Sequence, residues 1–442
     1  METRFYDVYP KVVPADKTST IHIVGRFPQK DFRKVDGVLD LGYVGGDGLL
    51  LDGTVPAWAE FGNLPDFKMD ADGLISVQIF FRGEGEHTLR LSASKDTQRW
   101  TIADFKIYSL GPDLLSLRPF RGDMHMHSGY SACSVGKETP AYLAASCRRV
   151  GLDFMSIADH RNYQSSLEAV RALNTWPSDF RCYPAEEVHE VDSYKLHIIN
   201  FGGRFSVCEL MDKDNGAIYQ RELSGYSAAL NAEPDEKLRT IMAASDWCFD
   251  KIHEAGGLAI FCHPHWRPVE RFHLPTRIKE YILKQNKYDA MEIVGHSAIG
   301  PPQREMNALS IAWWQKSCIE QGRMIPVVGN SDSHLCEEHL GHNATIVFAK
   351  SPDLPDLIAA IKEGRSVAGE FIAGEFPHLF GDFRLLAFSH FLLREFFPEH
   401  DEICAREGEL MLGSLSGNSV AISRLDEFKG KIPALFKHYW GQ

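Results

Sequence analysis

Two short motifs contain the side chains of this sequence that are best suited to chemistry. His125 and His127 are separated by one residue, and Asp332 and His334 have the same spacing. In a β-strand, residues i and i+2 point to the same side, so each pair can contact one metal ion. Imidazole and carboxylate groups are ligands that Zn²⁺, Mn²⁺ and Fe²⁺ accept. A single pair with this spacing often occurs by chance and is weak evidence by itself.

Similar side chains recur at the ends of short apolar runs in the middle of the chain. Besides the two pairs, these runs supply His160, Glu187, His197 and His263, with Glu186 as an alternative to its neighbour. Eight such groups buried together without a metal would carry a large desolvation penalty. The combination therefore predicts a metal centre, although each motif taken singly would not.

The pattern of apolar and polar residues along the chain predicts the strands and helices that must position these side chains. Between residues 116 and 375, apolar runs alternate with segments of helical spacing, which predicts a parallel sheet, open or closed into a barrel. The stretch 203–235 is long for a connection and is predicted to form a lid or an insertion. Residues 1–115 contain short β-like runs separated by Gly and Asp, which predicts a small N-terminal β-sandwich.

The C-terminal residues 376–442 are predicted to form a helical extension. Its first part, 383–397, is dense in Phe and Leu but is interrupted by charged residues. This pattern favours a helix that packs against the body of the protein. A homo-oligomer interface through the same helix is the alternative.

Composition excludes several classes of function. The chain of 442 residues has a formal net charge of −13, so it lacks a broad electrostatic footprint for a nucleic-acid backbone. Its nine cysteines include no C-x-x-C pair, and their odd number argues against a closed disulfide framework. No apolar run approaches the length of a membrane span, and no signal-peptide pattern is present. These features predict a soluble, cytoplasmic protein that binds a small-molecule substrate and neither a membrane nor an extended nucleic acid.

The order of the motifs resembles that of the PHP (polymerase and histidinol phosphatase) superfamily. The matching segments are Asp123-x-His125-x-His127-Ser128, Asp159-His160, Glu187-Val188, His197, His263-Pro264 and Ser331-Asp332-Ser333-His334. The tail, with Gly341, Ala344-Thr345 and residues 361–365, is similar to a branch that includes small phosphoesterases and carbaryl-type ester hydrolases. The resemblance covers residues 120–370 and implies a distorted (β/α)7 barrel with a multinuclear metal centre.

The resemblance also implies how the ligands are shared among the metal positions. The first metal would be held by His125, His127, Glu187 and Asp332. Glu187 would bridge to a second metal held by His197 and His263, and a third position would use His160 and His334. Related trinuclear members carry an acidic residue where this chain has Ala132, and the adjacent Cys133 could substitute as a thiolate. We therefore expect two tightly held metals, with Mn, Zn and Fe as candidates.

The implied function is a metal-dependent phosphoesterase that cleaves a small phosphomonoester or nucleotide with a metal-bridging hydroxide. Asp332 would orient this nucleophile or accept its proton, and His160 or His334 would protonate the leaving oxygen. The candidates for recognising a substrate anion are Arg161, His265 and Arg267.

Two rival functions remain open at this point. The same metal centre could hydrolyse a carboxylic ester, a carbamate or an amide, and an aromatic pocket would favour this reaction where a basic pocket would favour phosphate. The second rival is a non-catalytic binding protein with a vestigial barrel, which the nearly complete set of ligands disfavours.

Overall fold

The computed structural model describes residues 4–45, 62–64, 66–189, 196–268 and 271–441. The chain divides into two structural units. The first contains Met1–Arg118, Ala387–His400 and Gly430–Gln442, and the second contains Pro119–Leu386 and Asp401–Lys429. We describe each unit by itself.

The first unit is built mainly from β-strands. Its strands are β1 (Tyr6–Tyr9), β2 (Val12–Pro14), β3 (Lys17–Gly25), β4 (Val38–Gly45), β5 (Gly62–Leu64), β6 (Phe67–Met69), β7 (Ile75–Phe81), β8 (Gly85–Lys95) and β9 (Gln98–Leu110). They form a four-stranded sheet in the order β1-β3-β7-β6 and a five-stranded sheet in the order β2-β9-β8-β4-β5. A short helix, α1 (Pro112–Leu115), follows the last strand.

A single hydrophobic core contains side chains from both of these sheets. In β7, residues Ile75, Val77, Ile79 and Phe81 are buried, and the residues between them are more exposed. This period of two places one face of the strand in the core. The buried side chains of β3, β8 and β9 belong to the same cluster.

The second unit contains two mixed sheets. Its strands are β10 (Arg118–Asp123), β11 (Phe154–Met155), β12 (Arg181–Cys182), β13 (Ala185–Val188), β14 (Ile198–Phe201), β15 (Leu258–Phe261), β16 (Ala290–Val294), β17 (Val327–Gly329), β18 (Asn343–Ala349), β19 (Ser366–Glu370) and β20 (His378–Phe380). The sheet orders are β12-β11-β10-β18-β19-β20 and β13-β14-β15-β16-β17. Strands β13 and β14 pair antiparallel, because residues 189–197 are too few for a crossover helix.

Helices separate many of these strands. They are α2 (Pro140–Arg149), α3 (Gln164–Leu173), α4 (Val207–Asp212), α5 (Ala217–Ala229), α6 (Glu236–Ala255), α7 (Thr276–Gln285), α8 (Pro301–Gln321), α9 (Cys336–His339) and α10 (Leu354–Lys362). The Asp235 side chain caps the start of α6, and Gly256 ends it in the left-handed conformation. Helices α4 and α5 occupy most of the segment 203–235.

The prediction of a mixed α/β protein is confirmed, but the closed (β/α)7 barrel is not. Among the described residues, the strands of the second unit form two open sheets and no closed ring. The sheets meet through two isolated parallel bridges, Met126↔Ser333 and His160↔Glu187. Beside these bridges, Arg161 and Asp332 have positive φ angles of 52° and 47°. This conformation cannot continue a strand, so the ladder stops at the seam between the sheets.

The C-terminal part of the chain is helical. Its helices are α11 (Phe383–Glu395), α12 (Phe397–Leu415), α13 (Ser419–Leu425) and α14 (Lys431–Trp440). Within the first unit, Phe388 lies 4.9 Å from Tyr108 between ring centroids, and Phe396 stacks on Phe436 at 5.0 Å. Among the helices of the described residues, none has the length and apolarity needed to cross a bilayer.

Candidate metal centre

The predicted ligands lie at the seam between the two sheets of the second unit. The segment after β10 and the segment after β17 are joined there by backbone hydrogen bonds. The Asp332 amide donates to the His125 carbonyl, and the His127 amide donates to the Ser333 carbonyl, both at 2.8 Å. These bonds hold the two motifs that are spaced i, i+2 against each other.

Four of the predicted ligands form the centre of the site. Asp332 Oδ1 lies 3.2 Å from His125 Nε2 and 2.9 Å from His127 Nε2. Glu187 Oε2 lies 3.5 Å and 3.4 Å from the same two nitrogens. All four side chains are buried. Two imidazoles and two carboxylates thus converge as the resemblance implies for the first metal.

Glu187 faces further histidines with both of its carboxylate oxygens. Its Oε1 lies 2.6 Å from His197 Nδ1 and 3.4 Å from His263 Nε2, and its Oε2 lies 2.8 Å from His160 Nδ1. A carboxylate that presents its two oxygens to different groups of imidazoles is placed to bridge two cations.

Glu186 points away from this cluster, because neighbouring residues on a strand face opposite sides. It accepts hydrogen bonds from the Ser206 hydroxyl at 2.7 Å and from the Val207 amide at 2.5 Å. It therefore anchors the start of helix α4, and the structure brings Glu187 and not Glu186 to the site.

The third predicted position is at the edge of the cluster. His127, His160 and His334 each offer a ligand atom within 4.8 Å of the others. Ala132 has no ligand atom, and the next residue, Cys133, is exposed. Burial raises the pKa of the Cys133 thiol, but His160 and His334 outweigh that effect and lower the pKa to about 7.

His296 is part of the cluster and is absent from the sequence-based ligand set. Its Nε2 hydrogen-bonds to Asp332 Oδ2. The residue lies two positions after the end of strand β16, and its backbone is left-handed, with a φ angle of 54°. The signal that could have identified it is its place after the apolar run 291–294, since other such runs supplied a ligand.

Outer side chains fix the orientation of the central imidazoles. His125 Nδ1 lies 3.0 Å from Glu292 Oε2, and His127 Nδ1 lies 3.2 Å from the Ser131 hydroxyl. That hydroxyl donates to Asp159 Oδ1 at 2.6 Å. Contacts of this kind set the ring orientation and the tautomer of metal-binding histidines. Glu292 and Asp159 therefore support the cluster without belonging to its centre.

The hydrogen bonding of the cluster shows that a metal fits these residues. His125 Nε2, His160 Nδ1, His197 Nδ1 and Glu187 Oε2 are buried and make no hydrogen bond of acceptable geometry. They approach one another closely but are not aligned as donor and acceptor. Buried polar atoms left in this state are costly, and a shared cation would satisfy them.

The pKa shifts of the two central carboxylates also favour a bound cation. Burial opposes the charge of Glu187, but the imidazoles of His160, His197 and His125 hold its pKa well below its usual range. The pKa of Asp332 is likewise held well below its usual range, because His125 and His296 outweigh burial. Both carboxylates are therefore anionic, which is the state that ligates a cation.

The three residues predicted to recognise a substrate anion make other contacts. Arg161 donates to the His189 carbonyl at 2.6 Å and to Asp212 at 2.5 Å. Arg267 lies 3.7 Å from Glu305. His265 is buried, and burial together with the charge of Lys279 lowers its pKa to about 4. Their role in substrate recognition stays a prediction.

A pocket opens beside the cluster. Its lining includes the predicted ligand His263 together with His296, Trp266, Gln303 and Met306. Of the described residues that line it, none is a lysine or an arginine. The lining therefore combines one tryptophan and amide side chains with two imidazoles, and it contains no lysine or arginine.

One family model matches a part of the chain. Residues 321–366, which include Asp332 and His334, match the family model PHP_C, described as PHP-associated. The ordered motifs that resemble this superfamily also meet at one site. This match agrees with the resemblance of the motifs to the PHP superfamily. No curated protein matches the sequence significantly.

Three solved structures are similar to parts of the chain. One is a two-domain protein from Bacteroides vulgatus that contains a proposed PHP-like metal-dependent phosphoesterase. It is 16% identical to this chain with a TM-score of 0.37, and the match covers 57% of this chain and 65% of that protein. A proposed metal-dependent phosphoesterase from Bifidobacterium adolescentis is 18% identical with a TM-score of 0.33, covering 48% and 87%. An amidohydrolase from Chromobacterium violaceum, with bound sulfate and no metal, is 16% identical with a TM-score of 0.32, covering 55% and 96%. This chain thus spans less than two thirds of the first of these proteins.

Proposed function

We propose that the protein is a metal-dependent hydrolase that cleaves a small phosphomonoester or nucleotide. The observation that carries the proposal is the convergence of histidines on Glu187 and Asp332, with buried ligand atoms that no hydrogen bond satisfies. Ligands of this type hold divalent metals in hydrolases. Bound divalent cations would supply an activated water and would offset negative charge on a phosphoryl group.

The residues of the cluster divide into buried and accessible groups. His125, His127, Glu187 and Asp332 lie in the interior and would hold the metals in place. The His160 side chain is 28% exposed and that of His334 is 18% exposed, so these two imidazoles can reach a substrate. His334 Nδ1 contacts the Asp332 carbonyl at 2.8 Å, which leaves its Nε2 directed elsewhere. We assign proton transfer to the leaving oxygen to one of these two histidines.

Asp332 is the best-placed group to orient the nucleophile. Its two oxygens contact three imidazoles, those of His125, His127 and His296, so its carboxylate plane is fixed. A fixed carboxylate can accept a proton from water at a defined position without reorganising. This role is the one that the resemblance implies for Asp332.

A second candidate function is supported by the pocket beside the cluster. Trp266 lines the pocket, and the described lining residues include no lysine or arginine. An aromatic pocket favours hydrolysis of a carboxylic ester or a carbamate, since the acyl group carries no charge. The phosphoester proposal accommodates the same pocket if the phosphoryl group lies on the cluster and the leaving group lies against Trp266.

Matched substrates distinguish the two reactions. The same phenol is presented as its phosphate, its acetate and its methylcarbamate to protein loaded with Mn²⁺, Zn²⁺ or Fe²⁺. We expect kcat/KM for the phosphate to exceed that for the other two by at least about tenfold, a difference of about 1.4 kcal/mol. Preference for the acetate or the carbamate would establish the second candidate instead. Hydrolysis of none of them, with metal bound, would support the binding-protein alternative.

A further inference from the structure

Lys279 of helix α7 is a buried lysine whose charge lacks a partner. The residue is 2% exposed, and its ammonium makes no hydrogen bond and no ion pair with any residue that the structure describes. It lies over the ring of Phe272, 4.4 Å from the centroid. Buried charges are normally paired, because removing an ammonium from water is costly. A cation–π contact of about 0.5–2 kcal/mol offsets only part of this cost.

Other basic side chains gather around the same ring. The Arg267 guanidinium lies 5.8 Å from the Phe272 centroid, and the His265 ring packs edge-on against Phe272 at 5.5 Å between centroids. Arg267 lies 3.7 Å from a Glu305 carboxylate whose side chain is largely exposed, so solvent weakens that pair. The charge around Phe272 is therefore locally positive, although the chain as a whole is acidic.

The start of helix α7 adds to this positive character. The helix begins at Thr276 with no side-chain cap and no acidic residue in its first turn. Lys279 is its fourth residue, and helical side chains lean toward the N-terminus of their helix. The contact with Phe272, which precedes the helix, agrees with this direction. The ammonium thus lies toward the positive end of the helix dipole, where an anion is favoured.

This group of basic side chains is accessible and adjoins the pocket beside the metal cluster. Phe272 is 38% exposed, and the Lys279 nitrogen is not fully enclosed, in contrast to unpartnered atoms such as His125 Nε2. His265 Nδ1 lies 3.3 Å from the hydroxyl of Ser310, which lines the pocket. His265 therefore connects the wall of the pocket with the basic group at Phe272.

We propose that Lys279 and Arg267 bind a phosphate group at a subsite beside the pocket. A phosphate group carries a charge of about −1.5 to −2 at pH 7, so two cations match it better than they match a single carboxylate. Binding would give the buried ammonium the anionic partner that the described residues do not supply. The phosphate can be a free ion or part of an organic ligand whose remainder lies in the pocket.

The test measures phosphate binding to the full-length protein with its metals bound. The probes are inorganic phosphate and phenylphosphonate, whose carbon–phosphorus bond is not an ester, and isothermal titration calorimetry gives the stoichiometry and Kd. Lys279→Met keeps the length of the side chain but removes its charge. We expect this variant to lose one equivalent of bound phosphate, or to bind it at least about tenfold more weakly. Tighter binding of phenylphosphonate than of phosphate, lost in the same variant, would indicate an organic ligand, and equal binding would indicate the free ion.

Lys287→Met is the matched control. Lys287 also lies over an aromatic ring, that of Tyr226 at 5.6 Å, but it is paired with Asp250 at 2.8 Å. Its substitution should leave phosphate binding unchanged. Without phosphate, Lys279→Met should raise Tm because it removes an unpaired buried charge, whereas Lys287→Met should not.

Arg267→Gln changes a more exposed side chain and tests the same subsite if Lys279→Met does not fold. It should weaken phosphate binding as well. Phosphate binding that is equal in the unmodified protein and in both subsite variants would overturn the proposal, as would a lower Tm of Lys279→Met without phosphate, which would assign Lys279 a stabilising role. Because binding is measured without turnover, either result is independent of the proposed hydrolase function.

Discussion

At the scale of single residues, two neighbouring glutamates have different tasks. Glu187 contacts imidazoles through both carboxylate oxygens, whereas Glu186 binds the start of helix α4. Glu187→Gln should lower both metal affinity and turnover by about 10–100-fold or more, because an amide ligates two cations poorly. The metal content of the purified protein and kcat/KM are the measurements.

Glu186→Gln is the matched control for this prediction. Burial raises the pKa of Glu186, and an amide oxygen can still accept from the Ser206 hydroxyl and the Val207 amide. We expect its metal content to equal that of the unmodified protein. A larger loss in Glu186→Gln than in Glu187→Gln would show that the ligand is the other glutamate.

His296 is a residue whose contribution can be measured separately. Its imidazole hydrogen-bonds to Asp332 Oδ2, so it either holds that carboxylate or shares its metal. His296→Gln should weaken metal binding by about 10–100-fold. The matched control is His378→Gln, which disrupts another histidine–carboxylate contact, to Glu370 at 2.8 Å. Competition with a chelator of known affinity gives both dissociation constants, and equal values for the two variants would contradict this role.

At the scale of elements, helix α2 carries two adjacent arginines in different environments. Arg148 is buried, and its Nε lies 2.7 Å from Glu407 Oε2. Arg149 is partly exposed, and its Nη2 lies 2.9 Å from Glu337 Oε2. Removing one partner of a buried pair leaves an uncompensated charge, so Glu407→Gln should lower the free energy of unfolding by about 3 kcal/mol.

The exposed pair provides the comparison for the buried one. Glu337→Gln should cost less than about 1 kcal/mol, because solvent screens the charges. Urea denaturation of both variants measures the two differences. Equal losses would mean that the Arg148–Glu407 pair does not stabilise the fold more than a surface pair.

Helix α8 contributes the side chain that should set the charge preference of the pocket. Gln303 lines the pocket together with Trp266 and Met306. Gln303→Lys would introduce a cation into a lining without lysine or arginine. Two aryl substrates are compared, one bearing a carboxylate and the other a carboxamide at the same position. In Gln303→Lys, the ratio of kcat/KM for the carboxylate to kcat/KM for the carboxamide should rise about tenfold or more. Gln315→Lys, at an exposed position of the same helix, should leave this ratio unchanged.

At the scale of the whole molecule, metal binding should be linked to stability. Cations that bind only the folded state stabilise it by about 2.7 kcal/mol at a concentration of about 100 times Kd. For a domain of about 150–250 residues, each kcal/mol changes Tm by about 2–4 °C. Adding a chelator should therefore lower the calorimetric Tm by about 5–10 °C. An unchanged Tm would mean that the cluster holds no metal under these conditions.

The sequence by itself determined much of the site. The spacing i, i+2 predicted that His125 and His127 face the same site, and both do so, although they lie just beyond the end of strand β10. The succession of polar residues after apolar runs identified the segments that meet, and the resemblance to the PHP superfamily inferred from them is supported by the family model that matches residues 321–366. The mixed α/β class is confirmed as well, since it follows from the periodicity of each segment taken separately.

Tertiary structure decided what depends on contacts between distant segments. Glu187 faces the cluster because β13 pairs with β14 in the register Glu187↔Ile199, which no local pattern of the two glutamates reveals. His296 reaches Asp332 because its left-handed backbone turns the chain back toward the segment after β17. The sheets stay open because residues at their seam adopt backbone angles that interrupt the strand ladders. Local periodicity predicts which residues can act, but the pairing of strands far apart in the chain determines which side chains meet.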